Sequence, residues 1–142
     1  MSRTFIADTS FLVAFLSRDD YYHSWAAQQA SVWSSPLLTC EAVLTETCFL
    51  LSRNQNSHRL VFALLEREIL QISFGLAQER TTIEQFMTRY ASVPMSLADA
   101  CLVRMTEQIP DGIVLTLDSD FFIYRKNGNQ VIPVLNPPSV SS

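Results

Sequence analysis

The sequence has few of the features that mark a disordered chain, a membrane protein or a multidomain protein. Of its 142 residues only three are glycine, charged residues make up 17% and hydrophobic residues make up 48%. This composition excludes an intrinsically disordered chain and leaves little room for long flexible linkers. No apolar run approaches the length of a membrane span. The length fits one domain of ordinary size.

Cysteine and positive charge are also scarce. Cys40, Cys48 and Cys101 are an odd set without a Cys-x-x-Cys spacing, which predicts buried, reduced thiols. The first residues show no basic segment followed by an apolar signal core, so a cytoplasmic protein is expected. The formal net charge of -4 argues against strong non-specific attraction to nucleic acids. It leaves RNA open as a substrate, because acids that bind divalent cations contribute to that charge.

Short apolar runs alternate with helical patterns along the chain. Strands are predicted at Thr4–Ala7, Leu37–Leu38, Leu70–Ser73, Ile113–Thr116 and Val131–Leu135. Helices are predicted at Phe11–Leu16, from Tyr21 to about Val32, from Thr39 as N-cap to about Arg53, at His58–Glu68, from Leu76 to about Tyr90 and at Leu97–Gln108. The alternation predicts an α/β fold, a parallel sheet with helices on both faces. Residues 136–142, with two prolines and three serines, are predicted to form a flexible tail.

Two of the predicted strands run directly into an aspartate. Asp8 follows the first strand, and Asp118 follows the apolar run Ile113–Leu117. Ligands of open parallel sheets gather beyond the carboxyl ends of the strands, so two acids placed in this way are expected to converge. Carboxylate oxygens are the ligands that Mg²⁺ and Mn²⁺ prefer. The pattern predicts a divalent-metal site at this edge of the sheet.

Two further acids lie on predicted helices. Glu46 comes three residues after Val43 and four before Leu50, and Asp99 comes three residues before Leu102. These spacings place both acids on apolar helix faces. Because an ionised acid in apolar surroundings is costly unless it is paired or bound to a metal, both are expected to point away from open water.

Each acid also has an ordinary structural explanation. Asp8 fits the N-cap of the first helix, and Asp99 fits a capping box with Ser96. Asp118 fits a turn, and Glu46 fits an ion pair with a basic residue. From the residues alone these alternatives stay open.

Together, the four acids lie in segments that resemble the motifs of the PIN-domain nucleases, especially the VapC-type toxins of prokaryotic toxin–antitoxin pairs. The matching segments are Ile6–Val13, Glu41–Glu46, Ser96–Val103 and Thr116–Phe121. The resemblance extends over nearly the whole chain. It implies a three-layer α/β/α fold with a central parallel sheet, formed by one PIN-like domain over residues 1–135.

The resemblance also implies a set of site residues. The acidic quartet that binds the metal and carries catalysis would be Asp8, Glu46, Asp99 and Asp118. Asp8 and Asp99 are expected to be the principal ligands. Ser10 and Thr116 match hydroxyl residues that orient the ligands or the attacking water. Asp120 is the alternative to Asp118 as the fourth acid.

The function implied by the resemblance is a Mg²⁺- or Mn²⁺-dependent endoribonuclease in which a metal-activated water hydrolyses RNA. His23 and His58 match no motif position, so neither is expected to be a catalytic base. A cognate antitoxin and a homodimer are the expected protein partners. The alternatives are an RNA-processing nuclease without an antitoxin and a PIN module that binds RNA or protein without cutting.

Two features leave the partners less defined. Arg104 follows Asp99 on the same helix and is a candidate contact for the substrate, with a surface salt bridge as its alternative. The aromatic residues of the first two helices, from Phe11 to Trp25, either support a homodimer or complete the core of the monomer.

Overall fold

Strands and helices alternate along the chain. The computed structural model describes residues 3–33, 36–53 and 57–138. The elements are β1 (Thr4–Ala7), α1 (Thr9–Leu16), α2 (His23–Gln28), β2 (Leu37–Thr39), α3 (Glu41–Leu51), α4 (His58–Glu66), β3 (Leu70–Ile72), α5 (Leu76–Arg89), α6 (Leu97–Gln108), β4 (Gly112–Leu115), β5 (Arg125–Lys126), β6 (Gln130–Val131) and β7 (Val134–Leu135). Short 3₁₀ turns follow α2 at Gln29–Ser31 and β4 at Ser119–Phe122.

Five strands form a parallel sheet in the order β3-β2-β1-β4-β7. At its centre, β1 and β4 pair in register from Thr4 with Gly112 to Ala7 with Leu115. The chain adds β2 and β3 on one side of β1 and adds β7 beyond β4 on the other side. The strand order therefore reverses between β1 and β4, and the crevice at such a switch point is where open α/β sheets bind ligands.

Helices cover the sheet, because its central strands are apolar on both faces. Ile6 of β1 and Val114 of β4 are fully buried, which is typical of parallel strands with both faces covered. α1 packs against α2 and α3, whereas α5 packs against α6, which also contacts β1 and β4. The predicted three-layer α/β/α architecture is confirmed.

The aromatic residues near the start of the chain mostly serve the core of the monomer. Phe11 is fully buried, and its ring contacts those of Phe15, Trp25 and Trp33 with centroids 5.9 to 6.0 Å apart. Tyr21, in contrast, is 88% exposed. The monomer-core explanation therefore accounts for most of this group.

The last predicted strand is wrong as a single element. Val131 belongs to β6, which pairs antiparallel with β5 in a separate two-stranded sheet, and the main sheet resumes with β7 at Val134. Pro133 lies between them and has no N–H with which to continue a ladder. The turn of this unpredicted hairpin contains Asn127 and Gly128, whose φ angles are 50° and 89°.

Other boundaries differ by a few residues. Cys40, and not Thr39, precedes α3, because Thr39 belongs to β2. The second helix is shorter than predicted and occupies His23–Gln28 before its 3₁₀ turn. The sequence also predicts that Ser34, Ser35 and Pro36 end the second helix. Residues 34 and 35 lie outside the described residues, as do residues 139–142 of the predicted tail.

The predictions about membrane spans and cysteines can be compared with the described residues. None of the helices in the described ranges is long and apolar enough to span a membrane. The three cysteines are free thiols, of which Cys40 and Cys101 are buried and Cys48 is half-buried.

Candidate active site

Asp8 lies at the switch point, where β1 ends and α1 begins. Its backbone N–H donates to the carbonyl of Leu115 at 3.0 Å and extends the β1–β4 ladder. The residue is only 4% exposed. One carboxylate oxygen accepts the Thr9 N–H at 2.7 Å, and the other accepts the Thr116 hydroxyl at 2.6 Å. The N-cap explanation of Asp8 thus holds, but it occupies only one of the two oxygens.

Two hydroxyl groups hold the second oxygen of Asp8. Ser10 Oγ donates to it at 3.3 Å, beside the shorter bond from Thr116. Ser10 Oγ accepts the Leu117 N–H at 2.8 Å, and Thr116 Oγ1 accepts the Asp118 N–H at 2.9 Å. These backbone bonds fix the hydroxyl oxygens, so both residues stand where the sequence predicts groups that orient an acid.

Asp99 is held at the start of α6. The Ser96 hydroxyl accepts the Asp99 N–H at 3.0 Å, and Asp99 Oδ2 accepts the Ser96 N–H at 3.2 Å, which completes the capping box. Asp99 Oδ2 also accepts a hydrogen bond of 3.0 Å from the Tyr124 hydroxyl. Asp99 Oδ1 has no hydrogen-bond partner among the described residues. The capping role therefore leaves one oxygen of Asp99 available.

Asp118 and Asp120 lie together after β4. Asp118 Oδ1 accepts the Asp120 N–H at 2.9 Å and so caps the 3₁₀ turn. Both residues are half-buried. The turn explanation of Asp118 is observed too, and again it engages one carboxylate oxygen.

The four aspartates interact electrostatically. Burial raises the pKa of Asp8 to about 7, against the Thr116 hydrogen bond, and the charges of Asp99 and Asp118 add to the rise. Burial also raises the pKa of Asp99, with a contribution from the charge of Asp118. The pKa of Asp120 is raised by burial and then by the charges of Asp118 and Asp99. Acids from three separate segments of the sequence thus lie close enough to influence one another's pKa values.

None of these acids forms an ion pair with a basic residue in the part of the chain that the structure describes. Both ion pairs found in the described ranges are made by Arg104, with Glu79 at 2.6 Å and with Glu107 at 2.9 Å. These bonds to Glu79 and Glu107 raise the pKa of Arg104. The salt-bridge explanation of Arg104 therefore holds. Its guanidinium group binds Glu79 of α5 and Glu107 of α6.

Because its carboxylate partners are partly exposed, Arg104 should contribute little to stability. We expect Arg104→Gln to lower the free energy of unfolding by about 1 kcal/mol or less. Urea unfolding in a double-mutant cycle with Glu79→Gln measures the coupling, which should shrink as salt is added. A loss that is independent of Glu79 and of salt would contradict the ion-pair role.

Glu46 differs from the aspartates in its exposure. It is exposed on α3, and its Oε1 accepts a hydrogen bond from Thr9 Oγ1 at 3.0 Å. The expectation that Glu46 avoids open water is wrong, because Leu50, which defined its apolar face, is itself 52% exposed. Thr9 contacts both Glu46 and Asp8. Thr9 lies in the matching segment Ile6–Val13, but nothing in the sequence predicts that it contacts Glu46, 37 positions away.

The donor set fits a hard divalent cation. It consists of carboxylate oxygens that repel one another and lack a positive neighbour in the described part of the chain. No three His, Cys, Asp or Glu side chains within the described ranges are arranged to hold an ion on their own. Mg²⁺ usually keeps several waters and uses one or two carboxylates, so two acids such as Asp8 and Asp99 suffice for this chemistry.

Comparisons with known proteins concern the fold and the family of the chain. The crystal structure of VapC20 from Mycobacterium tuberculosis, described as a Sarcin-Ricin loop cleaving toxin, matches with a TM-score of 0.67 and 20% sequence identity. The match covers 78% of this chain and 87% of that chain, and at this identity it shows a shared fold. A comparison with curated protein sequences finds no match. The sequence profile of the PIN domain matches residues 5–127, a range that includes all the acids described above. The chain therefore belongs to the PIN domain family.

Proposed function

We propose that the protein is a cytoplasmic endoribonuclease of the VapC type that requires Mg²⁺ or Mn²⁺. The observation that carries the proposal is the convergence of Asp8, Asp99 and Asp118 at the switch point without a basic partner in the described residues. Family membership adds support, since the resemblance to PIN-domain nucleases rests on these same acids.

Each residue has a role in the proposal. Asp8 and Asp99 are the principal ligands, and each keeps its orientation through hydrogen bonds to neighbouring groups. Asp118, with Asp120 as its alternative, and the exposed Glu46 complete the site. When bound, a divalent ion supplies the charge that activates a water and stabilises the phosphate in the transition state. Without it, the aspartates repel RNA phosphates.

The partners are a further part of the proposal. Exposed apolar side chains on α3 and α4 support a protein-binding surface: Phe49, Leu50, Leu60 and Phe62. A homodimer and a cognate antitoxin are the proposed partners. A small neighbouring gene whose product binds the protein and inhibits cleavage would distinguish a toxin from an RNA-processing nuclease.

Metal removal tests the nuclease proposal. We expect the purified protein to cut RNA with Mn²⁺ or Mg²⁺, to stop in EDTA and to recover when Mn²⁺ is restored, because carboxylates alone offer no nucleophile for this reaction. The substrates are total RNA and a sarcin–ricin-loop RNA, since the structurally similar VapC20 is described as cleaving that loop. If the protein binds RNA but does not cleave it with either Mn²⁺ or Mg²⁺, the non-cleaving PIN module is favoured.

A paired substitution locates the activity. Asp99→Asn should lower cleavage by about 10²-fold or more, because asparagine keeps the oxygen but loses the charge. The matched control is Asp111→Asn at the opposite edge of the sheet, where the exposed Asp111 accepts a 3.1 Å hydrogen bond from Thr4. Equal cleavage by parent and Asp99→Asn would indicate a contaminating nuclease or a different site.

A further inference from the structure

Tyr124 is buried beside the acids although no motif includes it. It has no exposed surface, and it follows the 3₁₀ turn that begins after Asp118. Its ring packs edge-on against Phe121, with centroids 5.3 Å apart, and against Tyr90, with centroids 5.1 Å apart. Two aromatic contacts at steep interplanar angles leave the ring little freedom, so the position of its hydroxyl is fixed.

The Tyr124 hydroxyl determines how Asp99 is presented. It donates to Asp99 Oδ2 at 3.0 Å, and the same oxygen accepts the Ser96 N–H at 3.2 Å. Two donors on one oxygen restrict rotation of the carboxylate about its terminal torsion, which is otherwise broad. Asp99 Oδ1, without a hydrogen bond in the described part of the chain, then points in one direction only.

The same contact connects the two segments that carry the acids. Asp99 lies on α6, whereas Asp118 and Asp120 lie on the segment after β4. Tyr124 belongs to that second segment, and its backbone N–H donates to the carbonyl of Asp120 at 3.1 Å. The hydroxyl bond to Asp99 therefore links α6 to the Asp118 segment.

We infer that Tyr124 is a positioning residue that orients Asp99 for cation binding. The inference rests on the proposed metal-dependent function and deepens it. A buried tyrosine hydroxyl needs a hydrogen-bond partner of some kind, and a backbone carbonyl would suffice for folding alone. Here the partner is an acid of the site. Hydrogen bonds from neighbouring residues to a metal-binding side chain set its orientation and the affinity for the ion.

The test is Mn²⁺ binding by Tyr124→Phe, measured by isothermal titration calorimetry. The variant keeps the ring and its packing and removes only the hydroxyl. We expect the Mn²⁺ Kd to rise about 10-fold or more, as is typical when such a partner is lost. The matched control is Tyr90→Phe, which removes a hydroxyl of the same aromatic group that accepts the Arg125 N–H at 3.0 Å. That control should bind Mn²⁺ like the parent.

Each outcome separates the inference from the proposed function. Parent-like affinity of Tyr124→Phe, or an equal loss in both variants, would overturn the positioning role while leaving the nuclease proposal intact. A parent that binds no Mn²⁺ would overturn both. Thermal unfolding in EDTA, followed by circular dichroism, identifies a temperature at which all three proteins are folded. A loss of Mn²⁺ affinity measured at that temperature does not come from damaged packing.

Discussion

Asp8→Asn should reduce RNA cleavage by at least about 10³-fold with either Mn²⁺ or Mg²⁺. The expected loss corresponds to several kcal/mol of transition-state stabilisation, the contribution of a bound cation at a reacting phosphate. Asp8 is the most buried acid of the site, and its charge interacts with those of Asp99 and Asp118. Asparagine is nearly the same size and keeps one oxygen for Thr116, so the substitution changes charge more than shape.

Folding of the variant is measured separately. Burial disfavours the ionised form of Asp8, so removal of the charge should offset the hydrogen bond that the amide nitrogen cannot accept, and urea unfolding in EDTA at neutral pH should show a folded variant. Single-turnover cleavage with the variant in excess over RNA measures the loss directly. Asp111→Asn serves again as the control with an unchanged site. Cleavage by Asp8→Asn within a few-fold of the parent would remove Asp8 from the proposed site.

The strand-end acids could be predicted because backbone topology brings them together. Thr4–Ala7 is bounded as the sequence predicts, and the pairing of Ala7 with Leu115 places Asp8 beside Thr116 without any side-chain detail. An apolar run that ends in a polar residue predicts where a strand ends and which side chain lies at that end of the sheet. The structural alternatives for Asp8, Asp99 and Asp118 are observed as well, since each acid uses only some of its oxygen lone pairs for capping.

Helical spacing was a poor guide at Glu46. Val43 and Leu50 marked the predicted apolar face, but only Val43 is buried; Leu50 is 52% exposed and its neighbour Phe49 is 75% exposed. Apolar residues at helical spacing can belong to an exposed surface as readily as to a core. The sequence alone does not distinguish the two.

Contacts between distant segments could not be predicted from the sequence, because they depend on how the connecting turns orient individual side chains. Tyr124 meets Asp99 across 25 positions, and the contact depends on the 3₁₀ turn that aims the Tyr124 ring. The run Val131–Leu135 similarly looks like one strand, although Pro133 divides it between two sheets. The Asn127-Gly128 pair was the available signal for the hairpin, since this dipeptide favours positive φ.

The metal-free protein should become less stable as the pH rises from about 4 to about 7. The pKa of Asp8 is about 7 in the folded protein, against an ordinary value of 3.8. Between these values the folded state keeps a proton that the unfolded state releases, so the free energy of unfolding falls with rising pH. The largest fall attributable to Asp8 is roughly 4 kcal/mol. The raised pKa values of Asp99 and Asp120 act in the same direction.

Urea unfolding of the parent and Asp8→Asn across this pH range, in EDTA, isolates the contribution of Asp8. The contributions of all other groups are common to both proteins and cancel in the difference. The variant should gain stability relative to the parent as the pH rises, and the gain should level off above about pH 7. A constant difference across the range would show that Asp8 has an ordinary pKa, and that neither burial at the end of β1 nor the charges of Asp99 and Asp118 disfavour its ionised form.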